Sequence, residues 1–201
     1  MKHVRTIDWP EIAGREAALV QRCASGDEVA FAELVTEHQR MVVQLALNLL
    51  GDREEALDLS QEVFLRVFRT IPRFRGQSSL KTWIYRIAVN QARNRHRFWR
   101  RRRRGDQVPL DVHIAEHGEL LSSHTSRPDR VFAQQELAAR LERALASLPF
   151  DQRTAIVLRE VDGLSYDEIA YSLGVAVGTV KSRLTRARQT LRVTLREARV
   201  S

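Results

Sequence analysis

Ser165 precedes the run YDEIAYSL, and Glu168 lies three residues after it. That spacing predicts a capping box: the serine hydroxyl accepts from the backbone N–H of Glu168, and the glutamate carboxylate reaches back to the N–H of Ser165. Gly163 permits a sharp entry, and Gly174 can take the left-handed conformation that closes a helix. A second helix restarts shortly after. Its inward face is Val177, Val180, Leu184, Ala187 and Leu191, and its outward face is Thr179, Lys181, Ser182, Arg183, Thr185, Arg186 and Arg188. Two short-linked helices, the second apolar on one side and basic and hydroxyl-rich on the other, form the pattern of a helix-turn-helix that reads duplex DNA. Arginine and lysine can reach guanine edges, and serine and threonine can serve bases or phosphates. The stretch 176–196 holds no acid, which separates it from an ordinary solvated helix face.

Charge agrees with that reading. The 201 residues carry a formal net charge of +8, which favours an acidic partner, and 43% of them are hydrophobic, enough to bury a core. No apolar run approaches the roughly 20 residues a membrane span needs, and the N-terminal MKHVRTIDWPEIAG has no apolar signal-peptide core. We therefore expect no membrane insertion and a cytoplasmic location. The single cysteine, Cys23, excludes an internal disulfide and reads as a small buried residue. His113, His117 and His124 share one stretch but lack cysteines or carboxylates at ligand spacing. Neither a metal nor a cofactor is expected.

Helical periodicity dominates two blocks and strand signals are few, so the fold class is all-α with two small helical domains joined by a flexible linker. In the first block Phe31, Leu34, Val35, Val42, Leu45, Ala46 and Leu49 share a helix face. After a break at Gly51 and Asp52, Leu57, Val63, Phe64, Val67 and Phe68 form a second stripe. The loop RFRGQSS (73–79) leads into a helix starting near Leu80, with Trp83, Ile84, Ile87 and Ala88 facing inward. The second block carries the stripe Phe132, Leu137, Leu141, Leu145 and Leu148, closed by Pro149 and followed by three shorter helices. Between the blocks, from about Arg100 to Arg127, periodicity fails. The expected division is an extension 1–17, a first domain 18–99, a linker 100–130 and a second domain 131–201.

Residues 81–104 mix aromatics with dense arginine and hold no acid. Trp83, Tyr85, Phe98 and Trp99 interleaved with basic residues suit single-stranded nucleic acid, where rings stack on bases and arginines hold phosphates. The preceding loop, with Phe74, Arg75, Gly76, Gln77 and Ser78, sits where a flipped base could be received. The helix 54–69 differs: Glu54, Glu55, Asp58, Gln61 and Glu62 would not face DNA, so this surface is expected to meet a protein.

Three segments, LDLSQEVFLRVFR (57–69), RFRGQSSLKTWIYRIAVNQARN (73–94) and LREVDGLSYDEIAYSLGVAVGTVKSRLTRAR (158–188), closely resemble the extracytoplasmic-function sigma factors of bacteria, group IV of the sigma-70 family. The match covers roughly 21–98 and 136–195. The resemblance implies a non-enzymatic promoter-specificity subunit of RNA polymerase. Its first domain, sigma region 2, would bind the largest-subunit clamp helices through Asp58, Gln61, Glu62, Phe64 and Arg66. That domain would also open and read the −10 element through Arg73, Phe74, Arg75, Gly76, Gln77, Ser78, Lys81, Trp83, Arg86, Asn90 and Arg93. Its second domain, sigma region 4, would meet the flap and read the −35 duplex through Thr179, Lys181, Ser182, Arg183, Thr185, Arg186 and Arg188. The linker would thread toward the active-site channel, and an anti-sigma factor is an expected partner. The stretch before about Ala18 and the dense run Arg100–Arg104 depart from the family pattern.

Two other classes fit parts of the pattern. A helix-turn-helix repressor or activator would bind its operator as a symmetric dimer, but no dimerisation helix is evident and the first domain would have no role. A recombinase or nuclease would need a nucleophile or a carboxylate–metal cluster, and Tyr166 and Tyr171 have no matching constellation.

Overall fold

The computed structural model describes residues 14–105 and 128–197, with side chains over 14–102 and 136–196. The described residues form helices and no strands. In chain order these are α1 (Arg15–Ala24), α2 (Glu28–Leu50), α3 (Arg53–Thr70), a 3₁₀ turn (Ile71–Arg73), α4 (Leu80–Gly105), α5 (Pro128–Ala146), α6 (Phe150–Ile156), a π-helical turn (Val157–Val161), α7 (Tyr166–Leu173) and α8 (Val177–Glu197).

Local sequence sets the boundaries of the first bundle. The Asp27 carboxylate accepts from Ala30 N–H and starts α2, which Gly51 ends in the left-handed conformation at φ 73°. Asp52 then accepts from Glu55 N–H and starts α3 at once, so the α2–α3 pair is a tight hairpin. Ser79 caps α4 by accepting from Thr82 N–H, and Glu16 of α1 accepts from Leu80 N–H at 2.6 Å. Leu34, Val42, Leu45 and Leu49 meet Leu59, Val63, Val67, Ile84, Ala88 and Val89 in the core. Cys23 is buried, and burial pushes its thiol upward from the ordinary value.

The second unit wraps α6, α7 and α8 around Ile156, Leu158, Ile169, Leu173, Val180, Leu184 and Ala187. These residues belong to the same hydrophobic cluster as the first bundle. The two units pack directly, with α7 lying along α4.

Several sequence expectations need correction. Leu57 and Phe68 are exposed rather than core, as are Leu137 and Leu141 of α5. Trp83 and Ile87 do face inward, partly buried and packed against the core. Helix α4 runs on to Gly105, so the whole arginine run Arg100–Arg104, where periodicity fails, is helical. Arginine is a good helix former, and cations are favoured at a helix C-terminus. Of the three helices after Pro149, α8 is long, at 21 residues. The linker core 106–127, its three histidines and residues 1–13 of the extension 1–17 lie outside the described residues.

Candidate nucleic-acid interface

The helix-turn-helix forms as its residues dictate. Glu168 N–H donates to Ser165 Oγ at 3.2 Å, and Ser165 N–H donates to Glu168 Oε2 at 2.8 Å. Gly174 closes α7 at φ 66°, and Gly163 sits at φ 73°. Val180, Leu184 and Ala187 point inward, flanked by the partly buried Val177 and Leu191. On the opposite face Lys181, Ser182, Thr185, Arg186 and Arg188 are exposed, while Thr179 and Arg183 are half-buried. Two of these cations are held by acids. Arg183 donates to Asp151 Oδ2 at 2.8 Å, and Arg188 to Glu160 Oε1 at 2.7 Å. Those carboxylates fix the guanidinium positions, a contribution invisible in the α8 sequence.

A second basic site lies on the first bundle. Phe74 packs on Trp83, ring centroids 4.8 Å apart at 39°. With Arg73, Arg75, Gln77 and Tyr171 they line an open cavity of about 350 Å³. Arg73, Arg75, Gln77, Lys81, Arg86 and Asn90 are exposed, and Gly76 and Arg93 are half-buried. Trp83, Arg86, Asn90 and Arg93 follow at helical spacing along one face of α4. Two residues expected here turn elsewhere. Ser78 is fully buried and its hydroxyl donates to Ser79 O at 3.1 Å. Tyr85 is 1% exposed and lies against Asp162 of the second unit, so it cannot stack on a strand. Phe98 is exposed and Trp99 half-buried.

The third surface is α3. Asp58, Gln61, Glu62 and Arg66 are exposed, but Phe64 is 7% exposed and belongs to the core. Its place on the surface is taken by Leu57, Leu65 and Phe68; Leu65 is 57% exposed. Glu62 is paired with Arg95, which also holds Glu55. The surface is thus acidic with an apolar row, suited to a protein partner.

Asp162 carries the clearest electrostatic perturbation. Burial raises its carboxyl from the usual 3.8 to about 6, while the Tyr85 phenol and Lys81 oppose that rise. Its Oδ2 is buried without a hydrogen-bond partner. Burial also raises the Tyr85 hydroxyl well above its ordinary value. Among the described residues no group of His, Cys, Asp and Glu could hold a metal ion.

Comparison with known proteins places these surfaces. The sigma-70 region 2 family matches residues 34–105, and the sigma-70 region 4 family matches 138–191. The RNA polymerase sigma-H factor of Pseudomonas aeruginosa is 39% identical over 179 residues, spanning 88% of this chain and 92% of that protein. The chain belongs to the extracytoplasmic-function sigma factors of the sigma-70 family. The ECF RNA polymerase sigma-E factor of Escherichia coli K12 is likewise 39% identical, over 177 residues covering 88% of this chain and 92% of the relative. The helix-turn-helix is therefore that of region 4, and the cavity-bearing bundle is region 2. As a sigma factor the chain directs promoter-specific transcription initiation by RNA polymerase through −10 and −35 elements. Solved structures share the fold. CnrH, in complex with the cytosolic domain of CnrY, has a TM-score of 0.66 at 26% identity over 90% of this chain and 97% of that one. RpoE of Bartonella quintana, in complex with the anti-sigma factor NepR, has a TM-score of 0.68 at 26% identity, covering 83% and 96%. No helix among the described residues is long and apolar enough to cross a membrane.

Proposed function

We propose that this sigma factor divides its work among the three surfaces. The domains are 18–99 for region 2 and 131–201 for region 4, with an extension 1–17 and a linker 100–130. Asp58, Gln61, Glu62 and Arg66, with the apolar row Leu57, Leu65 and Phe68, bind the polymerase clamp helices. Arg73, Phe74, Arg75, Gly76 and Gln77, with Lys81, Trp83, Arg86, Asn90 and Arg93, hold the unpaired −10 strand. Ser78 supports the loop from within. Thr179, Lys181, Ser182, Arg183, Thr185, Arg186 and Arg188 read the −35 duplex. The observation that carries this reading is the pairing of two different basic surfaces. One is an α-helix presenting an exposed basic face, which suits a major groove. The other is an aromatic-floored cavity beside exposed arginines, which suits an unstacked base.

The chain makes no bonds itself; the polymerase does. It contributes sequence discrimination and the binding energy that offsets unstacking, at roughly 1–3 kcal/mol per stacked base. It acts in the cytoplasm, where its polymerase and DNA are. An anti-sigma factor is its expected regulator, by likeness to the RpoE complex with NepR.

The test is selection of promoters from a random duplex library by core polymerase loaded with this chain, followed by run-off transcription. The expected result is enrichment of two elements at fixed spacing and initiation that requires the chain. Enrichment by the chain without polymerase, as a palindrome, would instead show a conventional repressor or activator.

A further inference from the structure

Helix α1 lies outside residues 34–105, the span matched by the region 2 family. Yet it holds both ends of the 73–79 loop. At the entrance α1 packs on the 3₁₀ turn Ile71–Arg73, whose Ile71 is buried in the core. At the exit the Glu16 carboxylate accepts from Leu80 N–H at 2.6 Å, across 64 residues of sequence. Between these anchors Arg73, Arg75 and Gln77 are exposed, and the chain turns at Gly76 with φ 66°. Binding groups on such a loop keep their geometry only where a supporting shell fixes it, to within about 0.5 Å.

The first N–H groups of a helix have no intrahelical acceptor and carry its positive end. In α4 the Ser79 hydroxyl takes Thr82 N–H at 3.1 Å, which leaves Leu80 N–H to another group. No acid stands in the first turn of α4 or in the rest of 81–104, so the DNA-directed helix stays free of negative charge of its own. The carboxylate that favours its N-terminus is supplied from α1 instead. Glu168 also reaches this turn, but it accepts from the Thr82 hydroxyl and not from the backbone. Helix α1 can act as a brace because it is itself anchored. Leu19 and Cys23 are buried in the core, and Arg15 and Arg22 pair with Glu33 of α2 at 2.8 and 3.7 Å.

We propose that Glu16 is a positioning residue for −10 recognition. By holding Leu80 N–H it fixes the exit of the 73–79 loop, and so the placement of Phe74 and Arg75 against Trp83, one turn into α4. This rests on reading that loop as the −10 base site. The working unit of region 2 then begins at α1.

The test uses holoenzyme assembled with the full chain, on a promoter duplex selected from the random library and on the same duplex with each −10 base pair replaced in turn. The readout is the ratio of run-off initiation rates on the selected and replaced duplexes, which does not depend on how much of the chain is active. The parent should show roughly tenfold or more at its most sensitive position. Glu16→Met keeps the side-chain stem and the helix propensity but removes the acceptor. It should lower that ratio several-fold while capture of core polymerase is unchanged, and Glu16→Ala should match it. Glu16→Gln keeps an acceptor oxygen at the same reach and should restore most of the ratio. Parent ratios in the methionine and alanine variants, whatever their melting temperatures, would overturn the proposal, because Glu16 would then serve stability alone. A ratio as low in Glu16→Gln as in Glu16→Met would overturn it too, because the contact to Leu80 N–H would not be what matters. A separate arm tests the reading beneath it. Phe74→Ala with Arg75→Ala should flatten the ratios, and Glu16→Met should then add nothing further. If that double variant keeps the parent ratios, the loop is not the base site; if it flattens them while Glu16→Met does not, only the positioning role fails.

Discussion

Arg183 and Arg186 look equivalent in sequence, three residues apart on one basic helix face, yet the structure gives them different work. Arg183 is half-buried and held by Asp151, whereas Arg186 is exposed. Arg186→Ala should therefore be the cleaner loss of a base or phosphate contact, weakening binding at the −35 element by about 1–3 kcal/mol if the contact is bidentate to guanine. Competition of duplex −35 variants against holoenzyme measures it, and identical affinity with and without Arg186 would refute the assignment. Asp162 gives a prediction of the opposite kind, on stability. Its carboxyl titrates near 6 in the folded chain against the usual 3.8. The folded form holds the extra proton between those values, so stability falls as pH rises through about 4 to 6, and the cost of the buried charge remains in full above that. A shift of about two units corresponds to at most about 3 kcal/mol. Asp162→Asn should raise the melting temperature at pH 7.5, at about 2–4 °C per kcal/mol, and leave it nearly unchanged at pH 4. Equal melting temperatures at pH 7.5 would show that Tyr85 and Lys81 already compensate the charge.

At the scale of elements, α3 shows what a helical pattern can and cannot reveal. Its acids were legible as a non-DNA surface, but Phe68, which periodicity puts in the apolar stripe, is exposed, while Phe64, which the resemblance puts at the polymerase surface, stays in the core as periodicity suggests. An apolar stripe wider than the space beneath it must leave one edge exposed, and the sequence does not say which edge. Phe68 goes to the outer edge, where Phe31 meets it edge-on at 5.0 Å. The exposed row it forms with Leu57 and Leu65 should contribute to polymerase binding. Asp58→Arg with Leu65→Asp should weaken capture of core polymerase on the order of tenfold or more, as loss of contacts central to an interface does. Undiminished capture by immobilised double variant would sink the assignment. The same contrast runs through the rest of the molecule. The capping box at Ser165 and the glycine closure at Gly174 depend on residues three to five apart, so the sequence displays them in full. The burial of Tyr85 depends on Asp162, and Thr82 meets Glu168 across a gap of 86 residues; no local pattern encodes such pairs. The helical arginines beyond Arg100 were hidden for another reason. Helix formation there needs only backbone and dipole, not an apolar stripe.

For the whole molecule, the question is whether two domains that share one hydrophobic cluster also share one unfolding transition. Arg153 lies at the joint. It donates to Leu49 O at the end of α2 at 3.0 Å, and to Ala146 O and Leu148 O at the end of α5 at 2.6 and 3.3 Å. The last carbonyls of a helix have no intrahelical donor and carry its negative end, so one guanidinium satisfies two helix termini from different domains. Its Nε is buried without a partner, and burial lowers its pKa from the ordinary arginine value. Replacing a buried charge by an apolar side chain of similar length is sometimes neutral. Here it would take the donor from the part-buried carbonyls of Leu49 and Leu148, one in each domain, at up to about 1–3 kcal/mol for such a group. Loss should therefore win over relief. Calorimetry should show a single cooperative melt for the parent chain and, for Arg153→Met, a lower melt resolved into two steps as region 4 detaches before region 2 unfolds. A single melt at the parent temperature would mean that Arg153 does not hold the domains together and that the hydrophobic cluster couples them without it.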